Sequence, residues 1–183
     1  TITSLTSMPN AEIPIGKSTM KIRNTNPLTG KLDVFLSKTG FTNPAGGCLI
    51  MAVNSPFGQR FMVLLGIHID DTPEDVAYLA SKIASLRVFS DEEGKMNLDL
   101  QAINGELLLV SQFTLYAATR KGNRPSFLES ARPEQAIPLY ELMIKTLSEK
   151  LGHKIQTGVF GADMQINLTN DGPVTIIIDS KNP

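Results

Sequence analysis

Residues 61–75 read Phe61-Met62-Val63-Leu64-Leu65-Gly66-Ile67-His68-Ile69-Asp70-Asp71-Thr72-Pro73-Glu74-Asp75, and this stretch decides the fold class. Positions 61–67 carry no polar side chain. A short apolar run without alternation suits a strand covered on both faces. Helix-start signals follow at once. Thr72 is a good N-cap and Pro73 sits at the first helical position, where a missing N–H costs nothing. Glu74 and Asp75 fall in the first turn, where the helix dipole favours anions. Val76, Leu79, Ile83 and Leu86 then recur at helical spacing. A buried strand feeding a capped helix places the chain in the α/β class.

The pattern extends in both directions. Upstream, Cys48 to Val53 is a short apolar strand, and Asn54 to Gly58 has turn chemistry. Leu32 to Leu36 reads as a first strand. Residues 1–31 are rich in Ser, Thr, Asn, Pro and Gly with no sustained period, so they read as a loosely ordered extension before a domain spanning 32–183. Downstream, Asp91 to Lys95 is a turn and Glu106 to Tyr116 a long strand. A helix covers about Pro133 to Leu151, with Ile137, Tyr140, Ile144, Leu147 and Leu151 on one face. Pro138 is expected to confine or kink its start, and Gly152 to stop it. Met164, Ile166 and Leu168 alternate with polar residues as in a half-buried strand. Asn170-Asp171-Gly172-Pro173 is a turn, and Val174 to Asp179 the last strand. The order predicts mixed β-sheets with helices packed outside.

Composition narrows the function. The 183 residues are 42% hydrophobic and 19% charged, as in a globular domain rather than a disordered chain. Lys plus Arg is 17 and Asp plus Glu 18, so the net charge of -1 excludes a globally basic nucleic-acid coat protein but not a local basic patch. The single Cys48 excludes an internal disulfide and any multi-cysteine zinc site. No apolar run approaches the ~20 residues of a membrane span. The opening residues lack the basic-then-apolar pattern of a secretory signal, so a cytoplasmic location without membrane partners is expected. His68 and His153 lie far apart, and neither phosphate-loop nor nucleophile-elbow motifs occur. His68, ending a buried strand, reads as structural before it reads as a site residue, and His153 as a partner of a helix end. The acids at 70–71 and 91–93 read as pre-helix and turn residues rather than metal ligands. No metal and no cofactor are expected.

Three stretches carry chemistry. Ser111-Gln112-Phe113-Thr114 interrupts a strand that begins Leu107-Leu108-Leu109-Val110. Burying polar groups unpaired costs about 1–3 kcal/mol each, so this is either a strand edge with satisfied hydroxyls or a ligand site. Gly172-Pro173 sits where a strand starts, and only about 5–6% of X-Pro bonds in folded proteins are cis, so chain physics expects trans. Arg120, Lys121 and Arg124 form a basic loop that either is simply solvated or follows a phosphate backbone.

Together Ser111-Gln112-Phe113-Thr114 and Asn170-Asp171-Gly172-Pro173-Val174-Thr175 resemble the two signature motifs of the D-aminoacyl-tRNA deacylase family. Gly94-Lys95-Met96-Asn97, Lys121-Gly122-Asn123-Arg124-Pro125-Ser126-Phe127 and Gly161-Ala162-Asp163-Met164-Gln165 are similar to its pattern in the same order. The likeness runs from about Phe61 to Asp179. The resemblance implies a homodimer with α/β/β layers that hydrolyses the ester between a D-amino acid, or mischarged glycine, and the 3′-terminal adenosine of tRNA. It implies catalytic roles for Ser111, Gln112, Phe113 and Thr114. It also implies a cis Gly172-Pro173 pair that reaches into the partner's site as a chirality filter, substrate contacts from Ala162, Met164 and Lys38, and tRNA contacts from Arg120, Lys121 and Arg124. Lys38 stands near the position of a family arginine. Lysine lacks the planar fork for the same two-pronged contact. Two other readings remain: a relative with a trans Gly-Pro bond acting on small L-amino acids, and a nucleic-acid-binding protein without turnover.

Overall fold

The computed structural model describes residues 10–15, 18–23, 47–55, 58–120 and 122–182. The expected strand Leu32–Leu36, together with Lys38 and Lys121, lies outside these residues. The strands are β1 (Asn10–Ile15), β2 (Ser18–Arg23), β3 (Cys48–Ser55), β4 (Gly58–Leu65), β5 (Phe89–Ser90), β6 (Met96–Leu98), β7 (Glu106–Ser111), β8 (Gln156–Thr157) and β9 (Thr169–Ile178). The helices are α1 (Pro73–Ala84) and α2 (Pro133–Leu151). Strands β1 and β2 pair antiparallel, with Asn10 opposite Arg23, where the sequence reading expected no regular structure.

The central sheet has five strands in the order β8-β7-β4-β3-β9. β4 runs parallel to β7 with Leu65 opposite Ser111, and β7 runs parallel to β8. β3 is antiparallel to both neighbours. Parallel neighbours need a crossover. α1 supplies it between β4 and β7, and α2 between β7 and β8.

One face of the sheet makes the core. Cys48 and Ile50 of β3, Phe61, Val63 and Leu65 of β4, and Leu107 and Leu109 of β7 alternate onto it. They meet Val76, Leu79, Ala80 and Ile83 of α1, and Leu139, Tyr140, Met143 and Leu147 of α2. The opposite face is covered in part: Met62 and Val110 are buried. Met62 lines one cavity with Ile166 and Leu168, and Val110 lines another with Met164. Cys48 is buried, and burial pushes its thiol up to about 12 against a weaker downward pull from the Ile178 backbone.

Three expectations are corrected. β7 stops at Ser111, and Phe113–Tyr116 form a 3-10 turn rather than more strand. The alternating residues 164–168 are irregular, and the strand begins only at Thr169. Asn170–Pro173 do not reverse the chain. β9 continues through them, and its register against β3 jumps from Val53 opposite Asn170 to Met51 opposite Thr175. Asn170 closes the base of this bulge, its amide nitrogen facing the carbonyls of Ala52 (2.9 Å) and Val174 (3.0 Å) and its oxygen accepting from Thr175 Oγ1 (2.8 Å). Pro138 lies inside a continuous α2.

Gly47 shows how tightly one end of the sheet is closed. Its φ is +90°, and a Cβ there would lie 2.3 Å from the carbonyl oxygen of Ile178. Both strain and contact oppose any side chain. Gly47→Ala is expected to destabilise the fold by about 2 kcal/mol or more, read as a lowered urea midpoint. An unchanged midpoint would mean that β3 and β9 can part at this end without cost.

Candidate active site

The polar segment sits where β7 ends. Gln112 N–H donates to the carbonyl of Leu65 at 2.8 Å, the last rung joining β7 to β4. The backbone then turns at Gln112 (φ -143°, ψ 84°) into Phe113–Tyr116. Leu115 N–H bonds back to the carbonyl of Gln112 at 3.2 Å. In an i→i+3 turn the N–H groups before that bond, on Phe113 and Thr114, have no carbonyl of the turn to reach. They remain available to a ligand's oxygen.

Beside this turn lies a cavity of about 290 Å³. Ser111, Gln112 and Phe113 line it from β7 and the turn, Ala162 and Met164 from the segment before β9. The structure therefore brings together five of the residues singled out from sequence. Thr114 adjoins them: its Oγ1 accepts a hydrogen bond from Gln112 Nε2 at 2.5 Å. Phe113 is 57% exposed at the mouth and meets Phe127 edge-on, with centroids 5.0 Å apart. Phe160, Ser130, Ala131 and Ala136 are also in the lining. Sequence reasoning missed these four because small and apolar residues in loops and helices carry no chemical signature.

Among the described residues no histidine, carboxylate or amine hydrogen-bonds Thr114 Oγ1. His68 faces elsewhere. Its Nδ1 accepts from the Asp70 N–H at 3.1 Å, and its ring lies 5.2 Å from that of Tyr116. His153 is exposed at the end of α2. No group of His, Cys, Asp or Glu among the described residues has the geometry of a metal site. Arg120 and Arg124 are exposed on a loop pinned at its base by paired hydrogen bonds between Ala118 and Ser126 at 2.8 and 2.9 Å.

Gly172 and Pro173 are not part of this cavity. Gly172 lines a separate cleft with Ala52, Val53, Val88 and Met96. It falls in the bulge that spans Ala52, whose partner Phe61 pairs with Leu107 rather than Ser111. Three strand spacings across and four residues along put the two motifs roughly 20 Å apart within one chain. The Gly172–Pro173 bond is cis, which overturns the base-rate expectation of trans and agrees with the resemblance.

The acids at the start of α1 and just ahead of it hold the fold rather than the site. Asp71 accepts from the His68 N–H at 2.8 Å, and burial raises its carboxyl above the usual range. Asp75 accepts from the Thr72 N–H at 2.9 Å and from Lys181 Nζ at 2.7 Å. Burial works upward on Asp75, but these donors win and hold it near 2.

The profile of the family described as D-Tyr-tRNA(Tyr) deacylase matches residues 51–179. A protein of Cytophaga hutchinsonii named D-aminoacyl-tRNA deacylase is 67% identical over 121 residues, covering 66% of this chain and 81% of its own. One of the same name from Porphyromonas gingivalis is 56% identical over 131 residues, covering 72% and 87%. A solved structure titled c-Myc DNA unwinding element binding protein aligns with TM-score 0.65 at 35% identity, over 72% of this chain and 97% of that one. Another, titled as a probable eukaryotic D-amino acid tRNA deacylase, aligns with TM-score 0.58 over 73% and 95%. At 16% identity it speaks for the fold alone. The class is thus that of hydrolases acting on ester bonds. The chain belongs to the D-Tyr-tRNA(Tyr) deacylase family.

The pairing of Asp75 with Lys181 gives a pH dependence. A depressed carboxylate stabilises the fold above its unfolded value, ~3.9, and the contribution is lost as pH falls toward the folded value. Lys181→Met is expected to lower the urea midpoint at pH 7, with the difference from the parent protein shrinking as pH falls from about 4 to about 2. A difference that stays constant over that range would show that Lys181 acts by packing and not by charge.

Proposed function

We propose that this protein hydrolyses the ester between a D-amino acid, or mischarged glycine, and the 3′-terminal adenosine of tRNA. The observation that carries the reading is the meeting of Ser111, Gln112 and Phe113 with Ala162 and Met164 around one cavity, in a chain of this family. On this reading Ser111 and Gln112 anchor the adenosine and ester. The N–H groups of Phe113 and Thr114 hold the oxyanion that forms as the carbonyl is attacked. Arg120, Lys121 and Arg124 hold the tRNA end, and Lys38 braces the Gly-Pro turn. The catalytic domain spans 32–183, with residues 1–31 as an extension. The setting is the cytoplasm.

The roughly 20 Å between Gly172-Pro173 and Ser111 within one chain supports a homodimer in which each Gly-Pro pair serves the partner's cavity. There its carbonyls face the Cα of the amino acid. An L side chain strikes backbone, which cannot rotate aside, while a D side chain points away and glycine passes. The partner's sheet then supplies the second β layer.

Thr114 is not the nucleophile on this reading. A hydroxyl needs a base to attack, and among the described residues no base hydrogen-bonds its oxygen. Water attacks instead, with the ribose 2′-OH of the substrate organising the step. A nucleic-acid-binding protein without turnover is the second reading, favoured by one solved relative named a DNA unwinding element binding protein and opposed by the net charge of -1.

A paired assay separates these readings. The same tRNA is charged with D-tyrosine, L-tyrosine or glycine, and ester loss is followed at low enzyme concentration. Loss of the D-tyrosyl and glycyl esters with L-tyrosyl-tRNA intact is expected. Cleavage of the L-ester would remove the filter. Bound tRNA with no ester lost would install the binding reading. Thr114→Ala is expected to keep its rate within about tenfold of the parent, whereas a loss of several orders of magnitude would make Thr114 the nucleophile.

A further inference from the structure

The Phe113–Tyr116 turn has only four residues, and none of them is fully buried. So short a 3-10 turn does not hold its own shape. Its internal hydrogen bonds are long: Leu115 N–H to Gln112 and Ala117 N–H to Thr114, both 3.2 Å. Something outside the turn must fix where it points.

Tyr116 is that link. Its ring lies against Gly66, where a Cβ would stand 2.9 Å from Cε2 and 3.1 Å from Cδ2. Only glycine leaves room for it. The ring also meets that of His68, with centroids 5.2 Å apart. Its hydroxyl accepts the Gly47 N–H at 2.7 Å, and the Gly47 carbonyl accepts the Gly66 N–H at 2.8 Å. Gly47 and Gly66 flank the Cys48–Leu65 pair at the closed end of β3 and β4. Gly47 also presses on Ile178 of β9. The C-terminal end of the turn is therefore held against the end of three strands, while Phe113 at its other end lines the cavity, with Thr114 next to it.

We propose that Tyr116 is a positioning residue for ester cleavage, its ring and hydroxyl together fixing the angle at which the turn presents the N–H groups of Phe113 and Thr114. On the deacylase reading above, from which this follows, these donors act on charge that develops only in the transition state. A small rotation of the turn therefore costs rate and leaves ground-state binding in place. Tyr116→Phe keeps the ring on Gly66 and leaves the Gly47 N–H without its acceptor. Tyr116→Leu removes both contacts.

The test measures kcat and KM on D-tyrosyl-tRNA, with a thermal melt of each variant. Tyr116→Phe is expected to lower kcat about tenfold, and Tyr116→Leu about a hundredfold, with KM within about twofold of the parent. Tyr116→Phe alone decides the matter if the leucine variant does not fold. A lower melting temperature with kcat unchanged per folded molecule would overturn the proposal, because Tyr116 would then be a packing residue only. A raised KM at unchanged kcat would overturn it too. These failures differ from failure of the deacylase reading, which would show as a parent protein that leaves the ester intact.

Discussion

The parallel pairing of β4 with β7 is the constraint on which the rest depends. Parallel neighbours cannot be joined by a tight turn, so the chain must leave the sheet, form α1 and return. That detour puts α1 and, by the same logic, α2 on one face, where they bury Phe61, Val63, Leu107 and Leu109. It also fixes which end of β7 lies beside which end of β4. Because Leu65 is opposite Ser111, both strands finish together, and the chain emerging from β7 has nothing further to pair with. A cavity bounded by Ser111, Gln112 and Phe113 forms at that finish. Clefts at the carboxyl ends of parallel strands are the usual place for ligands in such sheets.

The βα opening was legible because its signals are local. An apolar run at 61–67 and Thr72-Pro73-Glu74-Asp75 each act within a few residues, and both elements fall where the sequence puts them. So does α2, from Pro133 to Leu151. What was not legible depends on distant partners. Residues 164–168 alternate as a strand should, but alternation records which side chains face inward, not whether a neighbouring strand is there to pair. Ile166 borders two cavities yet stays 40% exposed, with no strand beside it. Beyond Ser111 the alternation continues through Tyr116, yet the tyrosine is drawn toward Gly66 and Gly47, contacts 50 and 69 residues away in sequence. Residues 1–31 showed no sustained period and so gave no sign of the strand that holds Pro14, a residue that cannot donate to a ladder. It is nevertheless in a two-stranded hairpin, where only one neighbour has to be satisfied.

The site was half legible for the same reason. Ser111, Gln112 and Phe113 stand out as polar or exposed residues closing an apolar strand, and they do line the cavity. Ala162 and Met164 came from resemblance to a family pattern, not from their chemistry. Ser130, Ala131 and Ala136 left no trace, because a cavity wall asks of them only that they be small. Gly172 and Pro173 carried a turn signal, but turn chemistry is the same whether the chain reverses or merely bulges. Only the register of β9 against β3 shows that it bulges.

Cys48 has a practical corollary for solution work. With its side chain buried and its thiol pushed up to about 12, it carries almost no thiolate at pH 8. It is the single cysteine of the chain. Maleimides and iodoacetamides therefore meet a nearly silent background. A cysteine placed on the exposed loop around Arg124 can carry a fluorophore or spin label without first rebuilding the interior.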